Sequence, residues 1–350
     1  LFPYTTLFRS RLIDFFDGTK IFTIPVYQRK YDWQQEHCKQ LFSDIERIIQ
    51  SSREHFLGTF VYQVKPAADG FGEYIIIDGQ QRITSIVLFA KALCEFADDD
   101  ILNEEILIFI KNLQGRRKGK LKLQPTEYDL QIFEKLMSDK KFDIDDFKDE
   151  QSSVIYKNFI FFREKISSSE YSAKQFYNAL NKLNIVGILL EQENPQEIFE
   201  SLNSTGKDLT ESDLIRNYLL MPLNYEIQQN FYKKYWLEIE KLLRTSDNIE
   251  EFLVQYLITK RKSNSIARNG KNVHLTKNIL YYSFKRYFED NFLEKVEIFL
   301  QDICRYARFY NKFIFDEDTN FDKLSELEKK FYELIYQLES TTAPIILMYL

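Results

Sequence analysis

An aspartate, a glycine, two glutamines and an arginine stand side by side at Asp78-Gly79-Gln80-Gln81-Arg82, directly after the β-branched run Ile75-Ile76-Ile77. The run predicts a buried strand. Ile83, Ile86, Val87, Ala90 and Leu93 then fall at i, i+3, i+4, i+7 and i+10, which predicts a helix with one apolar face. The polar residues therefore occupy a strand-to-helix turn. Backbone N–H groups at the start of a helix lack intrahelical partners and carry the positive end of the helix dipole, so such a turn suits an anion, above all a phosphate. Arg82 adds a guanidinium whose planar fork matches phosphate oxygens. Asp78 adds a carboxylate able to hold a magnesium ion bridging phosphates, because hard cations take carboxylate and phosphate oxygens.

A second dense group is Ile24-Pro25-Val26-Tyr27-Gln28-Arg29-Lys30-Tyr31-Asp32-Trp33. Pro25 ends a strand and pushes Ile24 to extended geometry. The amide, the cations Arg29 and Lys30 and the three aromatics after it suit gripping a phosphate while stacking a base. The alternative is a surface loop whose aromatics tuck against the core. A third group runs from Phe199 through Asn203, Ser204, Gly206 and Lys207 to Thr210, Asp213, Arg216 and Asn217. It reads as a helix ending near Asn203, a turn through Gly206 and a new helix capped by Thr210 with Asp213 at N3. Capping accounts for Thr210, Asp213 and Gly206, but not for the density of the other polar residues.

Several chemistries are disfavoured. His37, His55 and His274 have no ligand spacing, and Cys38, Cys94 and Cys304 form no CxxC pair, so zinc is not expected. Neither a Walker-type Gly-rich loop nor a G-x-S-x-G elbow occurs. Ser85, one turn into the helix after Arg82, reads as structural.

The elements that must position these groups follow from the hydropathy pattern. Residues 20–24 predict a strand, and Leu41, Phe42, Ile45, Ile48 and Ile49 an amphipathic helix. Phe56, Gly58, Phe60, Tyr62 and Val64 alternate along a strand that turns through residues 66–70 into the strand before Asp78, a hairpin. Residues 111–122 (KNLQGRRKGKLK) hold six cations and no anion, a solvated loop or else a phosphate-contacting one. Residues 184–190 (NIVGILL) predict a further strand, returning to the first sheet or starting a small one. A second basic patch, Lys260-Arg261-Lys262, leads into residues 263–270, read as a surface loop. With 350 residues, 44% hydrophobic and 29% charged, the chain is globular and long enough for two domains. A net charge of -6 argues against a uniformly basic nucleic-acid coat while allowing local basic patches. Scattered cysteines and the lack of an apolar run of membrane-spanning length predict a cytoplasmic protein with no membrane partner. The expected organisation is α+β: a leader foreign to the protein at 1–10 (or else a genuine N-terminal strand), a mixed-sheet domain at 11–110, and a mainly helical region at 111–350, truncated at its C-terminal end.

Taken in order, IPVYQRKYDW, FLG (Phe56 to Gly58), DGQQRIT and FESLNSTGKDLTESDLIRN resemble the N-terminal domain of GmrSD-type restriction endonucleases, over roughly residues 19–220. The resemblance implies a ParB/sulfiredoxin-like mixed sheet followed by helices. It further implies a phage-defence protein that binds and hydrolyses a nucleoside triphosphate with Mg2+ and acts on DNA, often modified DNA. Cutting in such proteins is usually done by a C-terminal HNH-type domain, or a partner would supply it; no such motif occurs before Leu350. By motif, Tyr27, Gln28 and Arg29 would line the nucleotide pocket. Asp78, Gly79, Gln80, Gln81 and Arg82 would form the phosphate turn with Arg82 central to hydrolysis, and Asn203, Gly206, Asp213 and Arg216 would close the site. The rival readings are a non-hydrolysing, nucleotide-gated DNA clamp and a nuclease seated in the N-terminal domain itself.

Overall fold

The β-branched run lies in strand β4 (Gly72–Asp78) and is buried because that strand runs inside a six-stranded sheet. In the computed structural model the other strands of that sheet are β1 (Thr5–Arg11), β2 (Ile21–Thr23), β3 (His55–Pro66), β5 (Leu123–Gln124) and β6 (Leu183–Leu190), in the order β1-β6-β3-β4-β2-β5. The sheet is mixed: β1 on β6 and β3 on β4 are antiparallel, whereas β6 on β3, β4 on β2 and β2 on β5 are parallel. The structure describes residues 5–67, 69–138, 142–148, 151–191, 198, 209–268, 270–292, 295–314, 326 and 329–330.

The chain divides into two compact units, Leu1–Glu200 and Ser201–Leu350. The first reaches well past residue 110, where the sequence reading set its boundary, because β6 returns to the first sheet and seats itself between β1 and β3. The segment read as a leader contributes β1 from Thr5 onwards. Helices α1 (Leu12–Phe16), α2 (Gln35–Ser51), α3 (Gln80–Cys94), α4 (Asp100–Leu107), α5 (Glu127–Leu136), α6 (Val154–Ser167) and α7 (Ala173–Leu180) complete the unit. Phe15 of α1 stacks on Phe22 and Phe60 with ring centroids 4.9 and 5.4 Å away.

Helix α3 departs from its expected single apolar face. Ile83, Ile86, Val87, Leu88, Phe89, Ala90, Ala92 and Leu93 are all buried, because α4, α6 and α7 pack around it. Thr84 and Ser85 tolerate that burial by donating their hydroxyls to the carbonyls of Gln80 and Gln81, one turn back. The alternation along β3 also holds only at its centre: Phe60, Val61 and Tyr62 are buried together between two neighbouring strands, while Phe56 is 56% exposed.

The basic run at 111–122 is not uniformly solvated. Arg117 is 1% exposed and clasps both carboxylate oxygens of Asp69 at 2.6 and 2.8 Å, which draws the Asp69 carboxyl down to about 2. Lys122 is buried and donates to the carbonyls of Phe16 and Gly18, and burial pulls its ammonium down to about 8. These cations close the β3–β4 turn and the end of α1, respectively.

The described part of the second unit is helical apart from one small ribbon: α8 (Glu211–Leu220), α9 (Tyr225–Phe231), a π-helical turn (Tyr232–Trp236), α10 (Leu237–Leu243), α11 (Ser246–Arg261), α12 (Leu280–Phe292) and α13 (Val296–Ile314). Trp236, Ile239, Leu253, Leu257, Phe284 and Phe299 are buried in its core. Residues 263–270, read as a loop, instead contain strand β7 (Ser265–Arg268), paired antiparallel with β8 (Lys271–His274). The Asn-Gly dipeptide between them is a strong hairpin signal, and Gly270 takes φ 75°. The architecture is thus α+β, a mixed-sheet unit followed by a helical one.

Candidate functional site

The turn between β4 and α3 is built on glycines. Gly79, at the N-cap of α3, has φ 97°, and a Cβ there would fall 2.6 Å from Phe60 Cδ1 and 3.2 Å from the Thr59 carbonyl. Only glycine lets the chain swing from strand to helix this close to β3. Among the described residues, no side chain caps the first N–H groups of α3. Those donors and the positive end of a fifteen-residue helix therefore converge on the turn.

Asp78 and Arg82 flank it, one turn apart and partly open to solvent, with side-chain exposures of 36% and 27%. Arg82 Nη2 donates to the Thr59 carbonyl at 2.8 Å and to Asp78 Oδ2 at 3.2 Å. Its Nε is buried with no hydrogen-bond partner among the described residues. Beneath the guanidinium lies Gly58, with φ 133°, in a strand whose register with β6 shifts between Phe56 and Gly58. A Cβ on Gly58 would stand 2.5 Å from Arg82 Nη1. The bulge glycine thus makes the space that the guanidinium occupies, and the Phe60 ring centroid lies 5.7 Å from its Cζ. Gly58 was not among the sequence-derived site residues, yet a lone glycine within a strand pattern is the signal that a bulge or a close approach leaves.

The second group, residues 24–33, is laced to this turn by glutamine amides. Gln28 Nε2 donates to the carbonyl of Ile77 at 2.8 Å, and Gln28 Oε1 accepts from Gln80 Nε2 at 3.1 Å. The Ile77 carbonyl is available because the β3–β4 register shifts there, from Val61 opposite Asp78 to Tyr62 opposite Ile76. Gln81 Oε1 accepts from the backbone N–H of Asp32 at 2.9 Å and of Trp33 at 3.2 Å, while Gln81 Nε2 donates to the Lys30 carbonyl at 3.3 Å. Gln28, Gln80 and Gln81 are all buried. Their amides therefore position the loop against the helix start.

Within that loop, Arg29 pairs with Asp32 at 3.2 Å and keeps some exposure. Tyr27 is 2% exposed, and burial pushes its phenol well above the ordinary range. Tyr31 is buried too, its hydroxyl 2.6 Å from Ser85 Oγ and accepting from Asn158 Nδ2 at 3.1 Å. Of the three aromatics only Trp33 presents an edge to solvent, stacked on His37 at 5.6 Å. The loop's far anchor is Asp129 of α5, which accepts from Tyr31 N at 2.7 Å; burial raises its carboxyl to about 6. Nothing local in the sequence links residue 129 to residue 31. Asp129 therefore escapes motif reading.

Of the third group, Asn203 and Gly206 lie outside the described residues. Thr210 caps α8 by accepting from Asp213 N at 3.1 Å. The Asp213 carboxylate turns instead to Arg216 Nη2 at 2.7 Å, and Arg216 Nη1 donates to Glu240 at 2.6 Å. Trp236 Nε1 and the Tyr232 hydroxyl complete the shell by donating to Glu240, each at 3.0 Å. Burial opposes the charge on Arg216, but Asp213 and Glu240 outweigh it and hold the guanidinium above its ordinary pKa. Asp213 and Arg216 are therefore satisfied inside the helical unit.

Asp78 is a lone carboxylate: no group of three or more His, Cys, Asp or Glu able to hold a metal occurs among the described residues. The donor set fits a magnesium ion carried in on phosphates, which needs only one or two protein carboxylates, and does not make an all-protein cage. Burial raises the three free thiols, Cys38 and Cys304 to about 11 and Cys94 to about 12, which leaves none poised as a nucleophile. No described helix is long and apolar enough to cross a membrane.

Comparison with protein families places this geometry in context. The family model described as the GmrSD restriction endonuclease N-terminal domain matches residues 12–220, that is 209 of the 350 residues. The matched span takes in the loop at 24–33, Gly58, the turn at 78–82 and the cap of α8. Comparison with curated proteins gave no match.

Proposed function

Because the chain belongs to the family of GmrSD restriction endonuclease N-terminal domains, and so to DNA-targeting restriction proteins, we propose that its turn at 78–82 binds the phosphates of a nucleoside triphosphate and promotes hydrolysis of the terminal one. The observation that carries this reading is the guanidinium of Arg82. It is fixed by Thr59 and Asp78 above a glycine floor at the open end of a helix, and its Nε has no partner among the described residues. A buried unpartnered donor beside uncapped N–H groups suits acceptor oxygens.

Each residue then has a role. Backbone N–H groups at the start of α3 and Arg82 contact phosphate oxygens, and Arg29 approaches from the loop as a second cation. Phosphoryl transfer asks a protein mainly to position the reactants and to stabilise charge spread over the transferred group, which a prepositioned guanidinium and fixed N–H dipoles do. Magnesium, held by Asp78 together with the phosphates, would neutralise further negative charge. Gln28, Gln80 and Gln81 are positioning residues, since their amides are occupied in holding the loop to the turn. Trp33 is the aromatic placed to stack a base.

The test is phosphate release from each of the four ribonucleoside triphosphates with Mg2+, by the native chain and by Arg82→Ala. Turnover that disappears in a variant with an unchanged circular dichroism spectrum supports the reading. Equal turnover in a folded Arg82→Ala protein overturns it, and tight binding without release by the native chain points to a nucleotide-gated clamp.

A further inference from the structure

The second unit carries a concentration of positive charge that the nucleotide site does not use. Residues 260–288 include eight lysines and arginines, at 260, 261, 262, 268, 271, 277, 285 and 286, with His274 and without a single aspartate or glutamate, in a chain of net charge -6. Such a segment is an electrostatic feature of its own.

Sorting these cations by their partners isolates a patch. Lys260 is paired with Asp302 at 2.6 Å and Lys277 with Asp247 at 2.7 Å, so both are neutralised locally. Arg268 and Lys271 face each other across the β7–β8 ribbon as register partners, and both are exposed. Arg268 stacks over the ring of Tyr282 at 5.3 Å. The Tyr282 hydroxyl and Arg286 Nη1 both donate to the Ala267 carbonyl, at 3.4 and 3.1 Å. Arg268 and Arg286 thus flank one exposed tyrosine, with Lys271 opposite Arg268 on the ribbon. No carboxylate forms an ion pair with Arg268, Lys271 or Arg286 among the described residues; the Glu211 carboxylate accepts from Tyr281 N at 2.6 Å and interacts with Arg268 through its charge alone. The whole of β8, Lys271 to His274, is exposed, and Asn272 and His274 add hydrogen-bonding edges.

We infer that the β7–β8 ribbon, with Arg268, Lys271 and Arg286, is a docking element for the phosphate backbone of duplex DNA. Cations released from carboxylate partners are the groups that displace counterions from phosphates. A two-stranded ribbon matches the width of the B-form major groove, whereas the major groove of A-form RNA is too narrow to admit side chains. The ribbon lies outside the span matched by the family and does not depend on the nucleotide reading.

Fluorescence anisotropy of a labelled DNA duplex against the whole chain, over a series of salt concentrations with and without Mg-ATP, tests this. Each lost phosphate contact lowers the slope of log K against log salt by about 0.9. The pair R268Q/K271Q should then lower it by about 1.8, and the triple R268Q/K271Q/R286Q by about 2.7. The control K157Q/K165Q removes two exposed charges from α6 and should leave the slope unchanged. Melting temperatures establish that each variant is folded. The inference is overturned by an unchanged slope in the folded pair variant, by an equal drop in the control, by the absence of duplex binding under both nucleotide conditions, or by RNA duplex binding as tightly as DNA.

Discussion

Replacing Gly58 by alanine perturbs the candidate site without removing any of its polar groups. The new Cβ would stand 2.5 Å from Arg82 Nη1 and 3.2 Å from Cζ. Ordinary contact lies near 3.5 Å, so the guanidinium must retreat by roughly 1 Å. That movement takes Nη2 out of reach of the Thr59 carbonyl, now 2.8 Å away, at a cost of about 1.5–3 kcal/mol for a hydrogen bond from a charged donor. Alanine must also adopt φ 133°, a conformation L-residues rarely take, worth about 1–3 kcal/mol. Because the arginine end can relax, the sum expected is roughly 2–4 kcal/mol, or a fall in Tm of roughly 5–12 °C for a unit of this size. A displacement of 1 Å in a positioning group lowers turnover by about 100-fold. The assays are differential scanning fluorimetry and phosphate release, run on Gly58→Ala, Arg82→Ala and the double variant. If Gly58 serves the site through Arg82, adding Gly58→Ala to Arg82→Ala costs stability but no further nucleotide affinity. A Gly58→Ala protein with native turnover and a Tm within about 1 °C of the native value would show that Gly58 does not make room for Arg82.

Other predictions follow from the surrounding network. Gln81→Ala strands the N–H groups of Asp32 and Trp33, costing about 1–3 kcal/mol; hydrogen exchange at those two amides should accelerate, and unchanged protection would show that the loop is held otherwise. The Asp129 carboxyl is raised from an ordinary 3.8 to about 6 by burial, so protonation favours the fold, and this group's contribution to stability declines as pH rises from about 4 to about 6 and is level above that. Asp129→Asn should remove the decline and leave the variant more stable by roughly 1–3 kcal/mol at neutral pH; urea titrations across that range would show parallel profiles if the idea is wrong. Arg216→Met leaves Asp213 and Glu240 buried without their cation and should destabilise the helical unit by about 3–5 kcal/mol, read from the urea midpoint; a change under 1 kcal/mol would mean the cluster is not structural.

The backbone of this account was legible in the residues wherever the physics is local. The β-branched run, the Asp-Gly turn, the Thr210 cap and the strand at 184–190 all follow from periodicity and propensity, and each forms. What was not legible depends on contacts between distant segments. The all-round burial of α3 arises from helices that follow it in the chain, and Arg117 is buried because the turn carrying Asp69 comes back to meet it. Burial makes Tyr27 and Tyr31 core residues, although their spacing beside Arg29 equally suited an exposed stacking surface. The glutamines of the turn read as ligands-in-waiting from their types alone, whereas their geometry shows amides already engaged. At residues 263–270 the composition is that of a loop, and the hairpin is marked only by the Asn-Gly dipeptide.

The central claim is that the turn at 78–82 recognises phosphate. Equilibrium binding of a nucleoside and its mono-, di- and non-hydrolysable triphosphate to the native chain and to Arg82→Ala tests it directly, independent of turnover. Affinity should climb with phosphate number in the native chain and flatten, with a loss of about 100-fold for the triphosphate, in the folded variant. Equal affinity for nucleoside and triphosphate, or a triphosphate affinity unaffected by Arg82→Ala, would contradict it.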